Sequence, residues 1–273
     1  MKVYAITLER IEERKHYINN HLNELNLDYQ IIKAIDGASL SKEEMAASCD
    51  MKNVEKWSWW LTPGAIGCAL SHYNAYEALV ETNEKAGFVI EDDTILPENI
   101  NELLNEIEQE IGENEIILLF YSSFNPANLS SVGLKKLADG NLVYPMETSK
   151  TFSALAYVIG RKAAQNMLNN IKPIRVTADN WHYYFQKGCF NSLRVHYPSV
   201  VGTKNFKSAI DYLKRNSLKA RISSFIDKYQ IPVFYQIVKY IRGKRLKKIR
   251  SHFSLVNEVS PVYEKKNSSE VGN

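Results

Sequence analysis

The chain has 273 residues, of which 45% are hydrophobic and 24% charged, with 12 Gly and 8 Pro; it can bury a sizeable core and is far from disordered, collagenous or low-complexity composition. Its formal net charge of +3 is unevenly divided, because residues 204–250 hold 14 basic residues against Asp211 and Asp227 alone, whereas residues 1–203 hold 18 basic and 26 acidic. Cys49, Cys68 and Cys189 are too few and too scattered for a disulfide framework or a zinc module and read as buried thiols in a reducing compartment, and no stretch approaches the roughly 18 apolar residues of a membrane span.

Residues 3–8 are apolar and β-branched and predict a first strand. The start that precedes them has no apolar core of a signal peptide, so a cytoplasmic chain is expected. Ile11, Ile18, Leu22 and Leu25 recur at helical spacing, and residues 29–35 predict the next strand. Ser41-Lys42-Glu43-Glu44 has capping-box form and opens a short helix. Thr62 before Pro63 is an N-cap with proline at the first helical position, and Ile66, Leu70, Tyr73, Glu77 and Val80 carry a long helix that Gly87 should end. Phe88-Val89-Ile90 is a buried strand, residues 115–121 another, and residues 153–160 and 193–201 supply two more, separated by helices over 162–170 and 178–187. Strands alternating with helices indicate an α/β fold with a mostly parallel sheet.

The most informative chemistry is Ile90-Glu91-Asp92-Asp93. Carboxylates about 5 Å apart repel by roughly 3 kcal/mol per pair at an effective dielectric of about 20, which solvent, protonation or a cation must relieve. If the strand persists, residues 91 and 93 share a face, at the strand end where open α/β sheets bind ligands. A divalent ion held there with substrate phosphates would be Mg²⁺ or Mn²⁺, whose ligands are hard oxygens. A solvated acidic turn is the alternative.

Five blocks in order resemble glycosyltransferase family 25, the lipooligosaccharide galactosyltransferases and their collagen-modifying relatives. They are Val3-Tyr4-Ala5-Ile6-Thr7-Leu8 with Arg10 and Arg14, Ala34-Ile35-Asp36-Gly37, Gly64-Ala65-Ile66-Gly67-Cys68-Ala69-Leu70-Ser71-His72, Phe88-Val89-Ile90-Glu91-Asp92-Asp93, and Ala156-Tyr157-Val158-Ile159-Gly160-Arg161. The resemblance covers residues 1 to about 200. It implies a GT-A type fold over 1–203, with a Rossmann-like donor half to about 120 and an acceptor half beyond. It further implies inverting transfer of a hexose, most often galactose from UDP-galactose, with Mn²⁺ (or Mg²⁺) as cofactor. Glu91-Asp92-Asp93 takes the place of the metal motif, which assigns Asp93 to the metal and Glu91 and Asp92 to the donor.

Thr7 and Leu8, at the end of the first strand, can offer backbone groups to a base or ribose. Arg10 and Arg14 lie one helical turn apart and could steady a pyrophosphate, or form surface ion pairs with Glu9, Glu12 or Glu13. Asp36 either caps the turn at Gly37 or contacts the nucleotide. By the resemblance, Ser71 and His72 face the donor. Inverting transfer needs a general base; Asp179 is the candidate, with an N-cap role as its alternative and Glu147 as second choice. His182 or His196 could complete a metal shell. Trp59 and Trp60, clustered with Trp57, could stack on an acceptor sugar or belong to the core.

Residues 204–257 have helical apolar periodicity, broken at Pro232, with Lys and Arg on the opposite face, and predict a C-terminal basic helical extension; residues 258–273 read as a disordered tail. A basic amphipathic helix suits an anionic inner leaflet, placing the protein peripherally on the inner face of the cytoplasmic membrane, where a lipid-linked saccharide acceptor would lie. The alternative is a helix packed on the acidic body. No nucleic-acid motif accompanies the charge, so no nucleic-acid partner is expected. A non-catalytic nucleotide-sugar-binding or scaffolding protein and a metal-dependent phosphoesterase are the competing functional classes.

Overall fold

The computed structural model describes residues 1–123, 125–204, 206, 226, 233–237, 240 and 252–270. The chain opens with β1 (Lys2–Thr7), α1 (Glu12–Glu24) and β2 (Tyr29–Lys33), followed by a 3-10 turn at Gly37–Ser39, the short helices α2 (Lys42–Ser48) and α3 (Met51–Lys56), and the long α4 (Pro63–Val80). Then come β3 (Ala86–Glu91), β4 (Thr94–Ile95), α5 (Ile100–Glu110), β5 (Glu115–Leu118), β6 (Ala127–Lys136), β7 (Asn141–Pro145) and β8 (Ala156–Gly160). The order ends α6 (Arg161–Ile171), α7 (Trp181–Gln186), β9 (Ser192–Tyr197), β10 (Gly202–Thr203), β11 (Phe253–Val256) and α8 (Pro261–Glu270).

Among the described residues the main sheet has nine strands in the order β11-β6-β7-β9-β5-β8-β3-β1-β2. All point one way except β7 and β8, so the expected mostly parallel α/β sheet is present. Alternation along the strands feeds two cores. Tyr4 and Ile6 join Val89, Tyr157 and Ile159 against residues of α4, α6 and α7. Val3 and Ala5 join Phe88, Ile90 and Val158 against α1 and α5. Charge inside the sheet is paired: Arg194 donates to Glu115 through Nε at 2.7 Å and Nη2 at 2.8 Å, and Ser192 Oγ donates at 2.6 Å. Burial would push the Glu115 carboxyl up, but Arg194 and these hydrogen bonds hold it below the usual carboxylate range.

Several expectations are corrected. Helix α4 ends at Val80, not at Gly87, which lies inside β3, where a Cβ would stand 2.7 Å from the Tyr4 ring. Its buried face includes Ile66, Ala69, Leu70, Ser71, His72, Ala75, Tyr76 and Leu79, with Tyr73 and Val80 packed at its edge and Glu77 exposed. Strands β6 and β7 fill a stretch to which the sequence assigned no element. Residues 253–256 are not helical but extend the sheet beside β6, and the tail expected to be disordered holds α8, anchored by buried Val262 and by Ser260 Oγ donating to Pro145 O at 2.7 Å. One buried valine in a polar stretch gives no periodicity to read. Most of the predicted basic extension lies outside the described residues; within it Val233, Ile237 and Tyr240 are exposed.

The topology fixes where a site can form. From β1 the chain passes through α1 to β2 on one side, while β3 pairs with β1 on the other, so a switch point falls at the carboxyl ends of β1 and β3. The register pairs Ile6 with Glu91 and sets Leu8 beside the carboxylate triplet.

Candidate functional site

A cleft occupies that switch point. Leu8 lines it from the exit of β1, Arg10 and Arg14 from the loop and first turn of α1, Asp36 from the exit of β2, and Cys68, Ser71 and His72 from α4; Glu91, Asp92 and Asp93 close the floor. Helix α4 comes this close because glycines meet: a Cβ on Gly67 would stand 2.5 Å from Gly37 N and from Ile35 O. Two of the sequence blocks thus carry glycine for backbone packing, which brings Asp36 and the cleft face of α4 to the same rim.

The three carboxylates have different surroundings. Asp92, almost fully buried, is ion-paired with Arg14 Nη2, and its Oδ2 accepts the Leu8 N–H at 3.4 Å. Burial pushes its carboxyl up, against the pull of Arg14 and of the Leu8 amide. Asp93 Oδ2 accepts from the Thr203 hydroxyl at 3.2 Å and its main-chain oxygen accepts the Lys204 N–H at 2.7 Å. Its Oδ1 is buried with no hydrogen-bond donor among the described residues and stands 3.6 Å from Arg14 Nη2. Burial and the charge of Glu91 push the Asp93 carboxyl up to about 6. Glu91 turns instead toward α4, with Oε1 3.5 Å from His72 Nε2 and 4.0 Å from Cys68 Sγ.

His72 is completely buried and oriented from behind: Nδ1 is 2.8 Å from the Tyr157 hydroxyl, which donates to Tyr76 Oη at 2.8 Å. Burial keeps both phenols protonated well beyond the ordinary range. His72 Nε2 makes no hydrogen bond among the described residues. Leaving a buried polar atom unmatched costs about 1–3 kcal/mol, so this nitrogen marks a place where a ligand is stabilising.

The remaining sequence candidates divide. Arg10 pairs with Asp36 through Nε at 2.5 Å, and Asp36 also caps the turn by accepting the Ala38 N–H at 3.2 Å. The capping reading of Asp36 therefore holds while it lines the cleft. Ser71 lines the cleft too, but its hydroxyl accepts the Ile35 N–H at 2.8 Å and donates to Gly67 O at 2.7 Å, tying the segment after β2 to α4. Asp92, expected at the donor, lines the cleft while its carboxylate pairs with Arg14 and accepts the Leu8 N–H. Thr7 does not line the cleft; its side chain is buried and its carbonyl accepts the Ala34 N–H at 2.9 Å.

Asn180, not Asp179, caps α7, accepting the Tyr183 N–H at 3.1 Å. Asp179 accepts from the Thr177 hydroxyl at 2.7 Å; burial pushes its carboxyl up and the charge of Glu91 adds to the shift, which ties it electrostatically to the cleft. Glu147 is exposed and ion-paired with Lys150 at 2.5 Å, away from the cleft lining. His196 is buried with Nδ1 2.8 Å from Pro198 O and Nε2 2.5 Å from Asp139 O, and His182 Nδ1 is 2.7 Å from the Thr148 hydroxyl. Neither lines the cleft, so neither completes a metal shell there. Trp59 and Trp60, with Trp57 and Leu61, line a second groove bounded by Arg175, Val176 and Asn180, beside Asp179 in the chain.

Three contributors escape the sequence reading. Cys68, expected to be a buried thiol, is half-buried and faces the cleft. Thr203 reaches Asp93 through the pairing of β10 with β4. Phe206 closes the rim, its ring 5.7 Å from the Arg14 guanidinium. Beyond the expected domain boundary at 203, Phe206 thus belongs to the cleft wall and the Lys204 N–H is bonded to the main chain of Asp93. The i, i+4 spacing of Cys68 and His72 is legible in the sequence; the contacts of Thr203 and Phe206 are not.

Residues 1–182 match the family described as glycosyltransferase family 25 (LPS biosynthesis protein). A protein of Aedes aegypti named glycosyltransferase 25 family member is 35% identical over 96 residues, covering 33% of this chain and 16% of the relative. Human procollagen galactosyltransferase 2 is 24% identical over 182 residues, covering 61% of this chain and 27% of the relative. A putative glycosyltransferase of Haemophilus influenzae is 29% identical over 179 residues, covering 65% and 61%. The chain spans less than two thirds of the length of each of these relatives.

Proposed function

The chain belongs to glycosyltransferase family 25, and from that premise we propose that it is a metal-dependent inverting hexosyltransferase that moves galactose from UDP-galactose onto a lipooligosaccharide or a similar glycan. The observation that carries the reading is the convergence at one switch-point cleft of Leu8, Arg10, Arg14, Asp36, His72 and the Glu91-Asp92-Asp93 triplet, drawn from four separate sequence blocks.

In this reading Arg10, half-exposed at the rim, meets the donor diphosphate, and Asp36 beside it meets the nucleoside. Asp93 would hold Mn²⁺ or Mg²⁺, because its buried Oδ1 lacks a hydrogen-bond donor among the described residues. A bound divalent ion supplies Lewis-acid stabilisation of the leaving diphosphate. Asp179 takes the proton of the acceptor hydroxyl; burial raises its proton affinity, the direction that strengthens a base. The tryptophan groove beside Asn180 receives the acceptor sugar on Trp59 and Trp60. The basic segment 204–250 attaches the protein to the anionic inner leaflet of the cytoplasmic membrane.

Incubation with UDP-galactose and Mn²⁺ is expected to give slow donor hydrolysis without acceptor, and a panel of UDP-sugars identifies the hexose. If no nucleotide sugar binds with or without metal, the proposal fails.

A further inference from the structure

The cleft contains a set of ligand atoms that the glycosyl-transfer reading does not use as a set. Cys68 and His72 stand four residues apart on α4, so both project from one face of the helix. Glu91, at the end of β3, reaches the same point from the sheet. Cys68 Sγ, a ring nitrogen of His72 and a Glu91 oxygen all lie within 4.8 Å of one another. Two of the separations are 4.0 Å for Sγ to Oε1 and 3.5 Å for Nε2 to Oε1.

We propose that Cys68, His72 and Glu91 form a binding site for a zinc-type divalent cation, distinct from the all-oxygen position at Asp93. With ordinary zinc–ligand bond lengths, the edges of a tetrahedral site are about 3.3 Å for nitrogen to oxygen and about 3.5 Å for sulfur to oxygen. The nitrogen–oxygen and sulfur–oxygen edges need to contract by about 0.2 and 0.5 Å, and the sulfur–nitrogen edge, within 4.8 Å here, by up to roughly 1 Å, a movement within reach of the Cys68 and Glu91 rotamers. A thiolate, an imidazole and one carboxylate suit zinc, whereas Mg²⁺ and Mn²⁺ prefer oxygen ligands.

A chance cluster of polar groups would not show two further features. His72 is completely buried and presents an unmatched Nε2 toward the other two residues. Its opposite nitrogen is fixed by Tyr157, itself held by Tyr76, which is how the second shell of a metal site sets the tautomer and direction of a ligating imidazole. All three residues line the cleft, so the fourth corner is open to a water or to an anionic oxygen of a bound molecule. On binding, the Cys68 thiol releases its proton to solvent. The inference does not depend on glycosyl transfer, since the ion can bind in the absence of any nucleotide.

Cobalt(II) titration of the full chain without nucleotide tests it. The expected result is about one equivalent bound with the near-ultraviolet thiolate charge-transfer band and the intense visible bands of a four-coordinate ion, displaced by zinc. Cys68→Ser should lose the charge-transfer band, Asp93→Asn should keep it, and Tyr157→Phe should weaken zinc binding roughly ten- to a hundredfold. Absence of a thiolate band in the wild type overturns the proposal. So does a band that survives Cys68→Ser, which would move the ion to Cys49 or Cys189, or one that disappears in Asp93→Asn. Should Cys68→Ser fail to fold, X-ray absorption of the zinc-loaded wild type decides: one sulfur at about 2.3 Å supports the site, and a shell of oxygen and nitrogen alone overturns it. Absence of donor hydrolysis in a protein that gives the cobalt spectrum would reject the transferase reading and leave the metal site standing.

Discussion

The Arg14 guanidinium is ion-paired with Asp92 and stands 3.6 Å from Asp93 Oδ1 through the same nitrogen. Three acids in sequence are thereby tolerated at a strand exit: one is paired with an arginine from α1, one turns to α4, and one keeps an oxygen that no hydrogen-bond donor among the described residues reaches.

Removing that arginine takes away the countercharge that the described residues give to buried Asp92 and partly buried Asp93. Breaking a buried pair from one side costs about 3–5 kcal/mol, so Arg14→Ala should lower the urea midpoint by a corresponding amount, and Arg14→Lys should recover part of it. A loss within the error of the measurement would show that solvent, not Arg14, balances Asp92.

The metal-free protein should lose stability as pH rises through the window set by Asp93. Its ordinary value is 3.8, and in the folded chain it is pushed up to about 6. The folded state therefore binds the proton more tightly, and the stability this confers is complete below the lower value and gone above the higher one. Asp93→Asn should accordingly be more stable than wild type near pH 7.5, by on the order of 1–3 kcal/mol, with the difference vanishing near pH 4. Thermal denaturation in chelator across that range measures it; a difference independent of pH rejects the assignment.

Asp179→Asn should reduce transfer about 10²- to 10⁴-fold while leaving UDP-sugar affinity unchanged, and Glu147→Gln should behave as wild type. Equal losses in both variants, or loss of donor binding in Asp179→Asn, would remove Asp179 from the role of base.

Replacing Lys244, Arg245, Lys247 and Lys248 with Glu should abolish co-sedimentation with anionic vesicles, and wild-type binding should weaken with salt because exposed charges are screened over about 8 Å at physiological ionic strength. Unchanged sedimentation of the variant would assign the segment to packing or assembly.

Local pattern alone determined much of this protein. The apolar run of β1, the capping box at Ser41 and the Thr62-Pro63 helix start depend on neighbours in sequence, and each is found where predicted. The carboxylate triplet stood out because adjacent like charges need relief whatever the fold. Tertiary structure alone decided which relief each acid receives. Asp92 lies 78 residues from Arg14 and Asp93 lies 110 from Thr203, and no periodicity links residues that meet only when β3 settles beside β1 and β10 pairs with β4. The same holds for Gly37 against Gly67, whose need for glycine comes from a backbone approach between two elements. Cys68 shows both levels: its spacing from His72 is written in the helix repeat, but Glu91 reaches them only because the sheet ends where it does.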